Sequence, residues 1–214
     1  MIYLPVDSRG LAEAAKIMQA GGVVVYPTET VYGLGADPFS PRAIERLFAI
    51  KGRDMRNPVL LVAATREQLR DVVAEWPPDA VRLADAFWPG PLSLVLPKTP
   101  PVPATLTGGS DKVCVRCTGL ATARALCEAV GGPFTSTSAN RPGEPPARTL
   151  RDFALEGVDA ALDAGELPPS APSTVYDVAA FRILREGAIP ASAIEAALKP
   201  LSAVNERKEE PKKT

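Results

Sequence analysis

Short apolar runs that alternate with amphipathic segments are the feature that most restricts the fold of this chain. Residues 23–26 and 59–63 are continuous apolar runs, as expected for strands buried on both faces of a sheet. Between them, residues 41–50 carry apolar side chains at helical spacing, with Ser40 as N-cap and Pro41 at the first helical position. This alternation favours an α/β domain built on a mixed, twisted β-sheet.

The remaining segments extend the same pattern. The sequence predicts further helices at 11–20, 67–74, 78–87, 120–130, 150–155 and 192–198. It predicts strands at 92–96, 112–117, 134–138 and 160–163, and a hairpin of 174–178 with 181–184. We therefore expect one domain over residues 1–200, followed by a charged and disordered tail at 201–214.

The composition restricts the chemistry and the compartment. The chain has no histidine, which excludes catalysis by a histidine base and zinc sites with histidine ligands. A net charge of −1 gives no indication of a strongly basic nucleic-acid-binding protein. Three cysteines argue against a disulfide framework, and no segment approaches the roughly 20 apolar residues that cross a membrane. With no secretory leader at the N-terminus, we expect a cytoplasmic protein without membrane contact.

The first candidate site is the segment 27–35, Pro-Thr-Glu-Thr-Val-Tyr-Gly-Leu-Gly. Thr28, Thr30 and Tyr32 supply hydroxyl groups, and the two glycines allow a ligand to approach the backbone closely. An ordinary strand–turn–strand explains the same residues equally well. No phosphate-binding loop of the common glycine-rich types occurs in the chain.

The second candidate site follows the predicted helix 41–50. Lys51 and Arg53, close to Asn57, form a cationic cluster that could clamp a triphosphate. The alternative is that Lys51 only offsets the negative end of the helix.

Alternation along the predicted strand 112–117 gives a third candidate. It places Lys112, Cys114 and Arg116 on one face and three other side chains on the opposite face. The thiols of Cys114 and Cys117 then point apart, so we expect buried cysteines rather than a redox or zinc site. An arginine among apolar neighbours needs an anion, which makes Arg116 a candidate ligand-binding residue.

Polar side chains also lie near the ends of later strands. Ser136, Ser138 and Asn140 lie where a predicted strand runs into a turn, a common place for ligand contacts in α/β folds. The same residues could simply form the turn. Ser173 precedes the predicted hairpin, and Arg185 follows it.

Taken in order, these motifs resemble those of the YrdC-like threonylcarbamoyl-AMP synthases over roughly residues 10–195. The matching stretches are Tyr-Pro-Thr-Glu-Thr-Val-Tyr-Gly-Leu-Gly at 26–35, Lys-x-Arg at 51–53, Asn-Pro at 57–58, Trp-Pro-Gly-Pro-Leu at 88–92, Val-Arg at 115–116, Ser-Ala-Asn at 138–140, Ser-Thr-Val at 173–175 and Arg-x-Gly at 185–187.

The resemblance implies an ATP-dependent nucleotidyltransferase that makes L-threonylcarbamoyl-AMP from L-threonine, bicarbonate and ATP and releases pyrophosphate. The product would serve the N6-threonylcarbamoyladenosine modification at position 37 of tRNAs that read ANN codons. The implied fold is an open, twisted, mixed β-sheet flanked by helices, with a concave electropositive pocket. Mg²⁺ would be held by the ATP phosphates rather than by the protein. The implied partners are downstream threonylcarbamoyl-transferase proteins, with direct tRNA contact left open.

The resemblance also assigns roles to the candidate residues. Lys51 and Arg53 would be catalytic and would bind phosphates. The implied threonine-binding residues are Thr28, Thr30, Tyr32, Arg116, Ser136 and Ser173, and the other implied nucleotide-binding residues are Asn57, Lys112, Ser138, Asn140 and Arg185. Some family members have a histidine for threonine binding where this chain has Val62, so the side-chain contacts of threonine stay open.

Two alternatives belong to other classes. One is a non-catalytic RNA-binding module that uses the concave face, which the neutral net charge and few aromatic residues disfavour. The other is a carbamoyl-adenylate-forming enzyme, like the similar domain of hydrogenase-maturation carbamoyltransferases. Those are long multidomain chains with zinc-finger cysteines, which this chain lacks.

Overall fold

The computed structural model describes residues 1–199. Its helices are α1 (Ser8–Gln19), α2 (Pro41–Lys51), α3 (Pro78–Phe87), α4 (Ala121–Val130) and α5 (Ala191–Leu198), with a 3₁₀ turn at Glu67–Leu69. Its strands are β1 (Ile2–Pro5), β2 (Val24–Pro27), β3 (Tyr32–Gly35), β4 (Leu60–Ala63), β5 (Leu92–Pro97), β6 (Lys112–Cys117), β7 (Phe134–Ser138), β8 (Ala160–Asp163), β9 (Thr174–Asp177) and β10 (Arg182–Arg185). The predicted tail at 201–214 lies outside the described residues.

Within the described residues, ten strands form one sheet in the order β1-β8-β2-β3-β7-β4-β6-β5-β9-β10. Four neighbouring pairs are parallel, namely β1 with β8, β8 with β2, β4 with β6, and β5 with β9. The other five pairs are antiparallel, including the predicted hairpin of β9 with β10. The predicted mixed sheet is confirmed.

Capping residues fix where the first helices begin and end. The Asp7 carboxylate accepts the Gly10 amide proton at 2.8 Å, so α1 begins three residues before the predicted start. Ser40 accepts from the Ala43 amide at 3.3 Å and Pro41 opens α2, as predicted. Gly52 ends α2 with a φ of 62°, a conformation that glycine adopts without steric cost.

Two predicted helices were wrong. The segment 67–74 forms only a short 3₁₀ turn, because the backbone after it pairs with the end of β5 instead: the Ala74 amide donates to the Pro97 carbonyl at 2.9 Å. The segment 150–155 forms no helix, since Thr149 and Asp152 close a single turn through their side chains at 2.8 Å. Strand β1 was not predicted.

Helices cover the two faces of the sheet unequally. On one face α2, α3 and α5 bury residues such as Leu47, Leu83 and Ile194 in the larger core. On the other face α1 and α4 bury Met18 and Leu126 in a second core. Strands β5, β6 and β9 contribute their apolar side chains mainly to the larger core, and their opposite face is left for a cavity.

Candidate functional site

A cavity of about 610 Å³ lies over the face of the sheet that the α1–α4 layer leaves open. Alternate residues of β5 and β6 form its floor, as the period of two along a strand requires, together with Val175 of β9 and the consecutive residues Ser136, Thr137 and Ser138 of β7. Its lining residues are Thr28, Thr30, Val31, Gly33, Arg53, Pro58, Val59, Leu60, Ser93, Val95, Cys114, Arg116, Ser136, Thr137, Ser138, Pro146, Ser170, Pro172, Ser173, Val175, Leu184 and Arg185. Among these, all within the described part of the chain, three are arginines and none is a carboxylate.

The alternation predicted for β6 is confirmed. Val113, Val115 and Cys117 are buried in the larger core, whereas Cys114 and Arg116 line the cavity. All three cysteines of the chain are free thiols. Burial raises the pKa of Cys114 to about 12, so this thiol stays protonated and uncharged.

Arg116 is the most deeply held cation of the cavity, with only 6% of its surface exposed. Its Nη2 donates to Oε2 of Glu29 at 3.1 Å. Within residues 1–199 its buried Nε has no hydrogen-bond partner. A buried donor without a partner is costly, so Nε is suited to an acceptor that a ligand brings.

Glu29 is held as firmly as the arginine. Its carboxylate also accepts from the Thr118 hydroxyl at 2.6 Å and from the Gly119 amide at 3.0 Å. Burial alone raises the pKa of Glu29, but the Arg116 charge and these hydrogen bonds outweigh it, and the net pKa lies below 4.5. Glu29 is therefore the ionised counter-charge of Arg116.

The other two arginines are oriented by backbone carbonyls. Arg53 donates from Nη2 to the Pro58 carbonyl at 2.7 Å and from Nε to the Asn57 carbonyl at 3.2 Å. Arg185 donates from Nη2 to the Ser173 carbonyl at 2.8 Å and to its hydroxyl at 3.0 Å. Neutral acceptors leave the positive charge of both guanidinium groups uncompensated, which suits an anionic ligand.

Thr28 and Thr30 lie on the cavity wall as predicted, but Tyr32 does not line the cavity. The Tyr32 hydroxyl donates to the Gly165 carbonyl at 2.8 Å and accepts from the Ala164 amide at 2.9 Å. Its ring is fully buried in the larger core, because alternation along β3 turns Tyr32 away from the face that Gly33 presents. The structure thus gives Tyr32 a packing role.

Lys51 reaches the predicted Ser138–Asn140 cluster, but its ammonium group contacts protein oxygens. Nζ donates to the Ser138 carbonyl at 2.5 Å and to the Asn140 carbonyl at 2.8 Å, with both side-chain oxygens at 3.2 Å. Burial, and then the charge of Arg53, lower the pKa of Lys51 to about 8. Lys51 and Asn140 are not among the lining residues, whereas Ser138 is.

Two further predicted nucleotide contacts lie outside the lining. Lys112 is paired with Asp177 at 2.9 Å, which links β6 to β9 across β5. Asn57 is exposed and contacts Arg53 through its backbone carbonyl. Neither residue is among those that line the cavity, and the charge of Lys112 is neutralised by the Asp177 carboxylate.

Several residues of the site were missed from the sequence, Ser93 and Glu29 among them. Ser93 is fully buried and its hydroxyl lies 3.1 Å from that of Ser173. The alternation of Leu92, Leu94 and Leu96 on β5 would have placed it on the open face. Glu29 lies inside the first candidate segment, but its partner Arg116 is distant in sequence.

Comparisons with known proteins show the family of the chain. The family model for Sua5, YciO and YrdC proteins, described as "Telomere recombination", matches residues 16–187. The chain belongs to the Sua5/YciO/YrdC family. A family member from Alkalilimnicola ehrlichii, named threonylcarbamoyl-AMP synthase, is 43% identical over 82% of this chain and 94% of its own length. A threonylcarbamoyl-AMP synthase of Pyrococcus abyssi is 40% identical, and the chain spans 55% of its length.

Solved structures of the family share the fold. Sua5 of P. abyssi complexed with L-threonine matches with a TM-score of 0.87 and 37% identity, over 92% of this chain and 61% of that one. YciO of E. coli matches with a TM-score of 0.78 and 28% identity, over 90% of this chain and 98% of that one. The predicted YrdC-like fold is confirmed, and the electropositive character of its pocket stays a prediction. Among the described residues, no helix is long and apolar enough to cross a membrane.

Proposed function

We propose that the protein is a threonylcarbamoyl-AMP synthase that uses L-threonine, bicarbonate and ATP. The observation that carries this proposal is the cavity lining, which combines three arginines and many hydroxyl groups with no carboxylate among the described residues. Such a lining suits substrates that are all anionic or carry anionic groups. The names of the relatives at 40% and 43% identity support the same assignment.

In this proposal the cavity has two sides. Arg116 receives the threonine carboxylate, since its Nε is a buried donor without a partner in the described chain. Ser136, Ser173 and the hydroxyls of Thr28 and Thr30 surround the amino acid.

Arg53 and Arg185 meet the phosphates and the nucleotide on the other side. Lys51 lies outside the lining and fixes the end of β7, because its ammonium group donates to the carbonyl and the hydroxyl of Ser138.

The chemistry needs positioning more than a reactive side chain. The threonine amine adds to the bicarbonate carbon, and loss of water leaves a carbamate. A carbamate oxygen then bonds to the α-phosphorus of ATP, while the bond from that phosphorus to the bridging oxygen breaks and pyrophosphate leaves. This displacement depends on alignment and charge neutralisation, which three arginines supply without any histidine. Mg²⁺ would be held by the ATP phosphates and would help to neutralise their charge, since the lining, taken over the described residues, offers no carboxylate to bind it.

The product is a mixed anhydride, which a further reaction must consume. We assign it to the N6-threonylcarbamoyladenosine modification of ANN-decoding tRNAs, with threonylcarbamoyl-transferase proteins as downstream partners and direct tRNA contact still open. The three free thiols suit a reducing cytoplasm.

The test is to supply ATP and bicarbonate with each amino acid in turn and to measure pyrophosphate and adenylate product. We expect product with threonine, and a fall in kcat/KM of about 10- to 100-fold in Arg116→Lys, because lysine has no donor in the place of Nε. The control is Arg82→Lys on the exposed surface of α3.

Absence of a threonine-dependent product would refute the proposal. Pyrophosphate release that depends on carbamoyl phosphate would favour the carbamoyl-adenylate alternative. RNA binding with a steep salt dependence and no turnover would favour the RNA-binding module.

A further inference from the structure

A buried tyrosine, Tyr26, contacts a residue that lines the cavity. The Tyr26 hydroxyl donates to Oγ of Ser136 at 2.6 Å. Tyr26 lies on β2 and Ser136 on β7, and strand β3 separates them in the sheet. Ser136 lines the cavity and Tyr26 does not.

Gly33 leaves the space for this contact across β3. It pairs with Tyr26 on one side and with Ser138 on the other. A Cβ at this position would lie 3.2 Å from Cε1 of Tyr26 and 3.0 Å from Cγ2 of Thr28, closer than side chains normally pack. A side chain at residue 33 would therefore crowd the Tyr26 ring and Thr28, and at least one of them would have to shift.

The surroundings of the ring fix its position. The Tyr26 ring packs edge-on against Phe134, with centroids 5.0 Å apart and an interplanar angle of 86°. Burial raises the pKa of the phenol, although the hydrogen bond with Ser136 lowers it in part. The phenol is therefore a permanent donor at physiological pH.

The direction of this hydrogen bond determines what Ser136 can do. A hydroxyl carries one hydrogen and two lone pairs. Because Oγ of Ser136 accepts the phenol hydrogen, its own hydrogen is available to an acceptor in the cavity. That hydrogen suits a ligand oxygen, while the second lone pair of Oγ can still accept from a ligand donor.

We propose that Tyr26 is a positioning residue that fixes the Ser136 hydroxyl as a donor to an oxygen of the bound amino acid, with Gly33 keeping the path open. The inference rests on the proposed function, in which that amino acid is threonine. It adds Tyr26 and Gly33 to the residues that determine amino-acid affinity, although Tyr26 does not line the cavity.

The test uses Tyr26→Phe, which keeps the ring against Phe134 and removes only the hydroxyl. Calorimetry should show the Kd for threonine rising about 5- to 10-fold, the cost of one oriented hydrogen bond. KM for threonine should rise equally, with kcat and the KM for ATP changed less than about twofold. Tyr176→Phe is the control, because Tyr176 is a buried tyrosine that packs in the larger core.

Ser136→Ala and the double variant complete the cycle. If Tyr26 acts through Ser136, the double variant binds threonine no more weakly than Ser136→Ala alone. Losses that multiply in the double variant, or unchanged binding in Tyr26→Phe, would overturn the inference. Gly33→Ala should weaken threonine binding by a similar factor, and the tyrosine variant decides the question if this one does not fold. A wild-type protein without threonine binding or turnover would instead refute the proposed function.

Discussion

The pairing of Glu29 with Arg116 makes a strong prediction for the variant Glu29→Gln. The carboxylate accepts from Arg116, Thr118 and Gly119 at 3.1, 2.6 and 3.0 Å. Glutamine has nearly the same shape and keeps one oxygen as an acceptor, but it has no negative charge. The variant therefore leaves the guanidinium of Arg116 without its counter-charge.

The magnitude follows from the burial of the two partners. Removing one member of a fully buried ion pair costs about 3–5 kcal/mol, because the other charge stays unpaired. Here the arginine side chain is 7% exposed and the glutamate side chain is 21% exposed, so water recovers part of that cost. We expect Glu29→Gln to lower the free energy of unfolding by about 2–3 kcal/mol at pH 7.

Urea unfolding of both proteins measures this difference. The control is Glu166→Gln, since the pair of Glu166 with Arg148 is 68% and 38% exposed and should contribute less than about 0.5 kcal/mol. The folded-state pKa of Glu29 lies below its ordinary 4.5, so the stabilisation is present above that pH and is lost as the pH falls through the folded pKa. The reasoning would be refuted if Glu29→Gln lowered the free energy of unfolding by less than about 0.5 kcal/mol at pH 7. It would also be refuted if the difference between the two proteins grew as the pH fell.

Two further predictions concern the walls of the cavity. Gly187→Ala would bring a Cβ to 2.7 Å from the carbonyl carbon of Ser173. We therefore expect calorimetry to show weaker threonine binding, and the free energy of unfolding to fall by about 1–3 kcal/mol. The control is Gly132→Ala, whose Cβ meets no atom within 4 Å and should change neither quantity. The folded-state pKa of Lys51 is about 8, below its ordinary 10.5, so the unfolded chain binds more protons between these values. Stability relative to Lys51→Met should therefore rise with pH across that window in denaturant titrations, and a constant difference would contradict the assignment.

Much of the fold could be predicted, because the spacing of apolar residues along each strand or helix is visible in the local sequence. The strands at 112–117 and 160–163 have the predicted bounds, since alternating or continuous apolar residues end at clear turn residues. The strand at 134–138 also has the predicted bounds, although Phe134 is its single apolar residue. The segment 67–74 also has a clear local pattern, that of a helix, but it forms no α-helix, because its backbone hydrogen-bonds to the end of β5. That partner is distant in sequence, so no local pattern reveals it.

The site could be predicted only in part for a related reason. Local patterns find strand ends that carry polar residues, and the sheet order then brings β3, β7, β6, β5 and β9 around one cavity. The order itself has no local signature, because neighbouring strands are seldom consecutive in sequence. Glu29 was missed for this reason, since it lies between β2 and β3 and its partner Arg116 lies on β6, far along the chain.

A charge in a sequence motif indicates that an anion or a dipole lies nearby, but it does not indicate which one. Lys51, Lys112 and Arg116 are equally cationic in the sequence. In the structure Lys51 donates to carbonyl and hydroxyl oxygens of its own chain, and Lys112 meets Asp177. Only Arg116 combines burial with a donor that has no partner in the described chain. Under the proposed function we therefore expect the arginines to bind the substrate charge and the lysines to hold the walls of the cavity in place.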